Sequence, residues 1–144
     1  MSKKAKDLTP KETDMYTLVG KYAFLVFVII AIIAGLAIGY MAWPDSGISA
    51  TTYADAYGWT MLILLILGVI VGLVNITAKE VTTFLIAAIA LSLTRGDVFK
   101  NPLSMVHPLL GWWAYHIIDF IVAFVAPAAI ILAIKAIYGL AREK

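Results

Sequence analysis

Long apolar stretches are the feature that most constrains how this chain can fold. Four of them, of which the third is short, cover residues 22–41, 59–74, 81–93 and 112–134. A helix that spans the hydrocarbon of a bilayer takes about 20 mostly apolar residues. Strands of a membrane barrel are about 10 residues long and alternate between apolar and polar positions, and these stretches do not alternate. The sequence therefore predicts an all-α, polytopic membrane protein: a four-transmembrane-helix bundle.

The composition agrees with a membrane protein of one domain. Of the 144 residues, 62% are hydrophobic and 14% are charged, whereas soluble domains have roughly 45–50% apolar and about 25% charged residues. No basic stripe with interleaved aromatic residues is present, so no nucleic-acid partner is predicted. The absence of cysteine excludes disulfides, thiolate metal sites and cysteine nucleophiles. We expect a single membrane domain over residues 1–144.

The polar segments before and between the predicted spans contain helix-start signals. Residues 9–12 (Thr-Pro-Lys-Glu) form a capping box with proline at the first helical position, which predicts a helical extension over residues 10–21 that precedes the first span. A second capping box at residues 77–80 predicts a tight hairpin between the second and third spans. Residues 52–55 form a weaker version of this motif before the second span. Residues 95–111 are predicted to be an outer loop that contains one short helical segment.

The orientation prediction follows from the positions of lysine and arginine, which are more frequent in cytoplasmic segments. In a four-span topology, nine of the eleven basic residues lie on one side of the membrane and two on the other. The nine are Lys3, Lys4, Lys6, Lys11, Lys21, Lys79, Lys135, Arg142 and Lys144, and the two are Arg95 and Lys100. We therefore expect both termini in the cytoplasm (N-in/C-in) and the protein in the cell membrane.

Small residues four positions apart mark one face of each of the first two spans. Ala31, Gly35 and Gly39 lie on the first span, and Gly68 and Gly72 lie on the second. Such spacing lets two helix backbones approach closely in lipid. Two interpretations stay open from the sequence: these residues pack helices within one chain, or a face of the first span forms an oligomer seam.

Two ionisable residues fall within the fourth span. Asp119 lies about 10 Å along the helix from Trp112, and His116 precedes it by three residues on the same helical face. A charge at that depth must be paired, neutral or in contact with water. The pair could relay protons or ions, or Asp119 could make a structural contact, such as an ion pair with Arg95 or Lys100. Pro127 in the same span is a candidate hinge, or it only shapes the helix.

No metal, cofactor or catalytic site is predicted. His107, His116, Asp119 and Asp55 lie towards the outer side, but no spacing among them is diagnostic of a metal site. The sequence contains no activated-nucleophile pattern and no phosphate-binding loop. We therefore expect a protein that is not an enzyme.

Residues 72–90 read Gly-Leu-Val-Asn-Ile-Thr-Ala-Lys-Glu-Val-Thr-Thr-Phe-Leu-Ile-Ala-Ala-Ile-Ala. This segment resembles one in short, uncharacterised multi-span membrane proteins of archaea. The resemblance covers this hairpin alone. It implies a helical membrane protein, and it implies no activity or binding residue.

Two functions are compatible with these features. The first is a structural or accessory integral membrane protein that contacts membrane lipids and forms a homo-oligomer or joins a larger membrane complex. The alternative is a proton- or ion-conducting channel or transporter that uses His116 and Asp119.

Overall fold

The computed structural model describes residues 10–74, 80–94 and 96–143, and within these ranges the chain is helical apart from short connections. The elements are α1 (Pro10–Ala42), a 3-10 turn (Pro44–Ser46), α2 (Ala50–Val74), α3 (Val81–Leu93), α4 (Gly96–Val106) and α5 (Pro108–Glu143). The all-helical prediction is confirmed.

Three helical segments of the described chain are long and apolar enough to cross a membrane: Leu18–Ala42, Ala50–Val74 and Pro108–Glu143. The helices α3 and α4 pass the same test only as a pair, and their axes are bent by 53°. The fold is therefore compatible with a multi-pass membrane protein that has three spans, or four if the bent pair counts as one.

The second helix begins earlier than residue 59, at Ala50. Its first turn is capped by Ser49, whose Oγ accepts a hydrogen bond of 3.3 Å from the backbone N–H of Thr52. Ser49 is therefore the cap of α2, because its Oγ satisfies an otherwise unpaired N–H of the first turn. Thr52, the predicted cap, lies inside the helix. Thr9 and Thr77, on which the two predicted capping boxes depend, lie outside the described residues.

The predicted outer loop over residues 95–111 is largely helical, which corrects the sequence prediction. The helix α4 occupies most of this segment, and α5 begins at Pro108 and continues well beyond residue 134. The reason is tertiary packing of α4 against the first turns of α5. A Cβ added at Gly96 would lie 2.7 Å from the Tyr115 carbonyl oxygen, and one at Gly111 would lie 2.6 Å from that of Lys100. The two glycines allow a backbone contact that stabilises a short helix.

The longest helix, α5, lies at the centre of the bundle and contacts each of the other four helices. Gly35 and Gly39 of α1 face Ile117 and Trp113, so α1 runs antiparallel to α5. The contacts of α2 advance along both helices in the same direction, which makes α2 parallel to α5. We call the end of the bundle that holds Pro10 and Glu143 the terminal end, and the opposite end the loop end.

The small-residue faces of α1 and α2 both pack against α5 of the same chain. A Cβ at Gly35 would lie 2.6 Å from Ile117 Cα, and a Cβ at Gly72 would lie 2.8 Å from Ala128 Cα. A Cβ at Gly39 would lie 2.9 Å from Trp113 Cδ1, Gly68 approaches the Phe124 carbonyl oxygen more closely still, and Ala31 is fully buried. The structure thus places these five residues in helix packing within the chain, which is the first of the two interpretations. Because α5 covers this face, no space is left there for a second copy.

Aromatic and aliphatic side chains fill the middle of the bundle. The Phe24 ring lies 5.7 Å from that of Phe124 and 6.0 Å from that of Phe84, and the Phe27 ring lies 5.9 Å from that of Phe124. These rings join α1, α3 and α5 around Phe124, which is fully buried. The core at this depth is apolar.

Candidate functional site

Four polar side chains meet between α2 and α5 near the loop end. His116 and Asp119 lie about one turn apart on α5, and Tyr53 and Tyr57 lie one turn apart on α2. Because the two helices are parallel, the residues pair in sequence order. Tyr53 Oη lies 2.9 Å from His116 Nε2, and Tyr57 Oη donates a hydrogen bond of 2.6 Å to Asp119 Oδ2.

His116 is enclosed and both of its ring nitrogens have partners. Its Nδ1 lies 2.9 Å from the Trp112 carbonyl oxygen, and a carbonyl oxygen only accepts hydrogen bonds, so Nδ1 carries a proton. In the neutral ring, Nε2 then accepts the hydrogen bond that Tyr53 donates. The rings of Tyr57 and Tyr115 lie 6.0 Å and 5.0 Å from the His116 ring, and His116 is fully buried. This environment is that of a structural histidine that links two helices.

Asp119 differs from His116 because it is only partly buried and borders a cleft of about 300 Å³. The cleft lies where α3 ends and α4 begins, and it is lined by Ser92, Gly96, Asp97, Tyr115, Ile118, Asp119 and Val122. Tyr57 approaches the carboxylate from the α2 side, so Asp119 connects the buried contact to the cleft. Of the predicted pair, Asp119 alone lines this space.

The structure does not join His116 and Asp119 by a hydrogen bond to each other: each one bonds a different tyrosine of α2. The cation of Lys100 lies 3.8 Å from the centroid of the Trp112 ring and 5.3 Å from that of Tyr115, where it makes cation–π contacts. The predicted ion pair between Asp119 and Lys100 is replaced by the hydrogen bond from Tyr57, and Arg95 lies outside the described residues.

Tyr53 and Tyr57 are site residues that the sequence analysis missed. Their signal was an i, i+4 pair of tyrosines in the first two turns of α2, with a spacing close to that of His116 and Asp119. Two such pairs can form matched contacts only if the helices are parallel and in the right register. The sequence did not specify that register.

Pro127 lies inside α5, which continues through it without a break. A Cβ at Gly68 would lie 2.6 Å from Pro127 Cγ, so the ring occupies space that the glycine leaves free. Pro127 is therefore a packing residue of the contact between α2 and α5, and its role as a hinge stays a prediction.

The described residues contain no group of three or more His, Asp or Glu side chains that could hold a metal ion. His107 lies apart from His116, and its Nδ1 accepts a hydrogen bond of 3.2 Å from the backbone N–H of Leu109.

No protein-family model, curated protein or solved structure matches this chain.

Proposed function

We propose that this chain is a structural or accessory protein of the cell membrane that crosses the bilayer four times and self-associates or joins a larger complex. In this topology α3 and α4 together form the third crossing. Of the described basic residues, Lys11, Lys21, Lys135 and Arg142 lie at the terminal end and Lys100 lies towards the loop end, so we assign the terminal end to the cytoplasm by the positive-inside rule.

The observation that carries the proposal is the apolar surface at the terminal end. The helix α5 has 36 residues and is about 54 Å long, which exceeds the roughly 30 Å of the hydrocarbon. The register between α1 and α5 brings Met15 level with Ile137, beyond the basic residues Lys21 and Lys135. Four large apolar side chains of this region are between 58% and 67% exposed: Met15, Ile137, Tyr138 and Leu140.

Exposed apolar side chains outside the hydrocarbon are the kind of surface that marks a protein–protein contact. Lipid covers the exposed residues in the middle of α1 and α2, but acyl chains do not reach beyond the basic residues at the membrane boundary. A partner chain at the terminal end would cover this surface, which favours an assembly over an isolated monomer.

The apolar core argues against conduction as the main function. Channels need a polar or hydrated pathway across the whole membrane. His116 is the one fully buried polar side chain among the described residues, and it lies near the loop end. From Asp119 towards the terminal end, the core contains Phe24, Phe27 and Phe124.

Native mass spectrometry of the chain extracted in a mild detergent tests the proposal. We expect a homo-oligomer of defined size or a complex with stoichiometric foreign subunits. A monomer without partners, at a protein concentration and in a detergent that preserve the fold, would contradict the proposal.

One observation favours a second function, proton or ion transport, because the Asp119 carboxylate borders the cleft. In liposomes that contain the purified chain, an Asp119→Asn variant should lose proton flux, whereas Asp45→Asn, in the exposed turn after α1, should retain it. Equal flux in both variants and the unmodified chain would remove Asp119 from any transport mechanism.

A further inference from the structure

We propose that the exposed face of α1 is the seam of a parallel contact with α1 of a second copy of this chain. The inference rests on the proposed function, since it names the surface through which the chain self-associates. This seam is a different surface from the small-residue face of α1, which was the oligomer seam considered from the sequence and which α5 already covers.

The seam is defined by eight large apolar residues whose spacing alternates between four and three positions. They are Met15, Val19, Tyr22, Val26, Ile29, Ile33, Leu36 and Tyr40. Each is between 39% and 61% exposed. An apolar repeat of 3.5 residues that continues over more than three heptads is the pattern of helices that pair as coiled coils.

The two faces of α1 are separate. Phe24 and Phe27 pack against the core, and Ala31, Gly35 and Ile38 are buried. Successive residues are rotated by about 100° around the helix axis, which places the seam on the side opposite to these residues. A second helix could therefore lie along the seam without disturbing the bundle.

Lipid alone does not account for the full length of the seam. In the proposed topology the exposed lysine Lys21 lies at the boundary of the hydrocarbon on α1. Met15 lies nearly two turns outside this boundary, and Val19 lies about half a turn outside it. The seam continues on the same face from this outer part through the membrane to Tyr40. A partner that covers the whole seam is a helix that also runs through the membrane and projects beyond it at the same end.

A second α1 meets this requirement. Two copies inserted in the same orientation place their α1 helices parallel, with the same length inside the membrane and the same projection outside it. A standard interface buries about 800 Å² on each partner, and eight large apolar side chains that are each roughly half exposed supply an area of that order. The 3.5-residue repeat also lets the two helices remain in contact by a left-handed supercoil.

Cysteine cross-linking tests the seam directly, because the chain has no cysteine of its own. We would introduce single substitutions Ile29→Cys and Ile33→Cys on the seam and, as a matched control, Ile66→Cys on α2. Ile66 is 52% exposed and, by the registers with α5, lies at about the same depth as Ile29. Each variant is oxidised in liposomes at a low ratio of protein to lipid.

We expect the disulfide-linked dimer of Ile29→Cys to form in several-fold greater yield than that of Ile66→Cys. A scan from residue 22 to residue 36 should show yields that rise every three to four positions. Equal yields at Ile29 and Ile66, or a maximum on another helix, would overturn the seam. Native mass spectrometry of the same sample separates the two proposals: an oligomer without seam cross-links rejects the seam alone, whereas a monomer rejects self-association as well.

Discussion

The contact between α2 and α5 is made in two different ways along its length. Near the loop end the helices are joined by hydrogen bonds from Tyr53 and Tyr57. Towards the terminal end they are joined by close backbone packing, where Gly68 and Gly72 meet α5. In lipid, helices associate through both kinds of contact, because the hydrophobic effect gives little preference for one apolar neighbour over another.

The two parts of this contact have different roles. The part with Gly68 and Gly72 provides close packing area between the two helices. It tolerates no added atoms, since the backbone of α5 occupies the space where a side chain would lie. The tyrosine part provides a fixed register, since each hydroxyl reaches one acceptor. Substitutions in the glycine part should therefore have larger effects on stability than removal of a single hydroxyl.

The largest effect is expected for Gly68→Ala. The added methyl group would overlap the Phe124 carbonyl and the Pro127 ring, so α2 must move away from α5, at a cost of about 3 kcal/mol. Unfolding by SDS in mixed micelles measures this change. Gly58→Ala on the same helix is the matched control, because nothing lies within 4 Å of its added Cβ. Equal stability of the two variants would show that α2 does not pack on α5 in this register.

A smaller effect is expected for Tyr57→Phe. This change removes the hydroxyl that donates to Asp119 and preserves the ring, which packs 5.6 Å from that of Phe120. Hydrogen bonds between membrane helices contribute about 1 kcal/mol, so we expect destabilisation of that order in the same unfolding assay. Tyr138→Phe, at a ring that is 67% exposed, should leave stability unchanged. Similar losses in the two variants would contradict a specific role for the Tyr57 hydroxyl.

The smallest effect is expected for Lys135→Met at the terminal end of the same contact. Lys135 Nζ donates hydrogen bonds of 3.0 Å and 2.8 Å to the carbonyl oxygens of Gly72 and Leu73, in the last turn of α2. A cation there compensates the unpaired carbonyls of a helix end, which contributes about 0.5 kcal/mol at an exposed site. The loss of stability in Lys135→Met should become smaller as salt is added. The loss in Lys135→Arg should be smaller than that in Lys135→Met. A salt-independent loss would point to packing of the side chain instead.

Local sequence signals predicted the helical class, because hydropathy and helix geometry are properties of neighbouring residues. They failed for α4, because residues 95–111 were predicted to be an outer loop with only one short helical segment. The helix instead begins at Gly96 and contains Pro102, because close contact with α5 outweighs the unfavourable proline.

The partners of the site residues depend on long-range geometry. The pairing of Tyr53 with His116 joins residues that are 63 positions apart, and it requires α2 and α5 to be parallel and in register. The small residues were recognised from their spacing, but spacing alone did not tell which helix occupies their face.

The central position of α5 has a consequence for the order in which the protein is made. A ribosome synthesises α5 after the other four helices, although it is the helix on which all of them pack. Before α5 is synthesised, the glycine faces of α1 and α2 are not covered by it, and the described parts of α3 and α4 lack the helix that forms their main contacts. Packing of α5 is therefore the step that completes the bundle, and the glycine faces of α1 and α2 are accessible to other proteins only before that step.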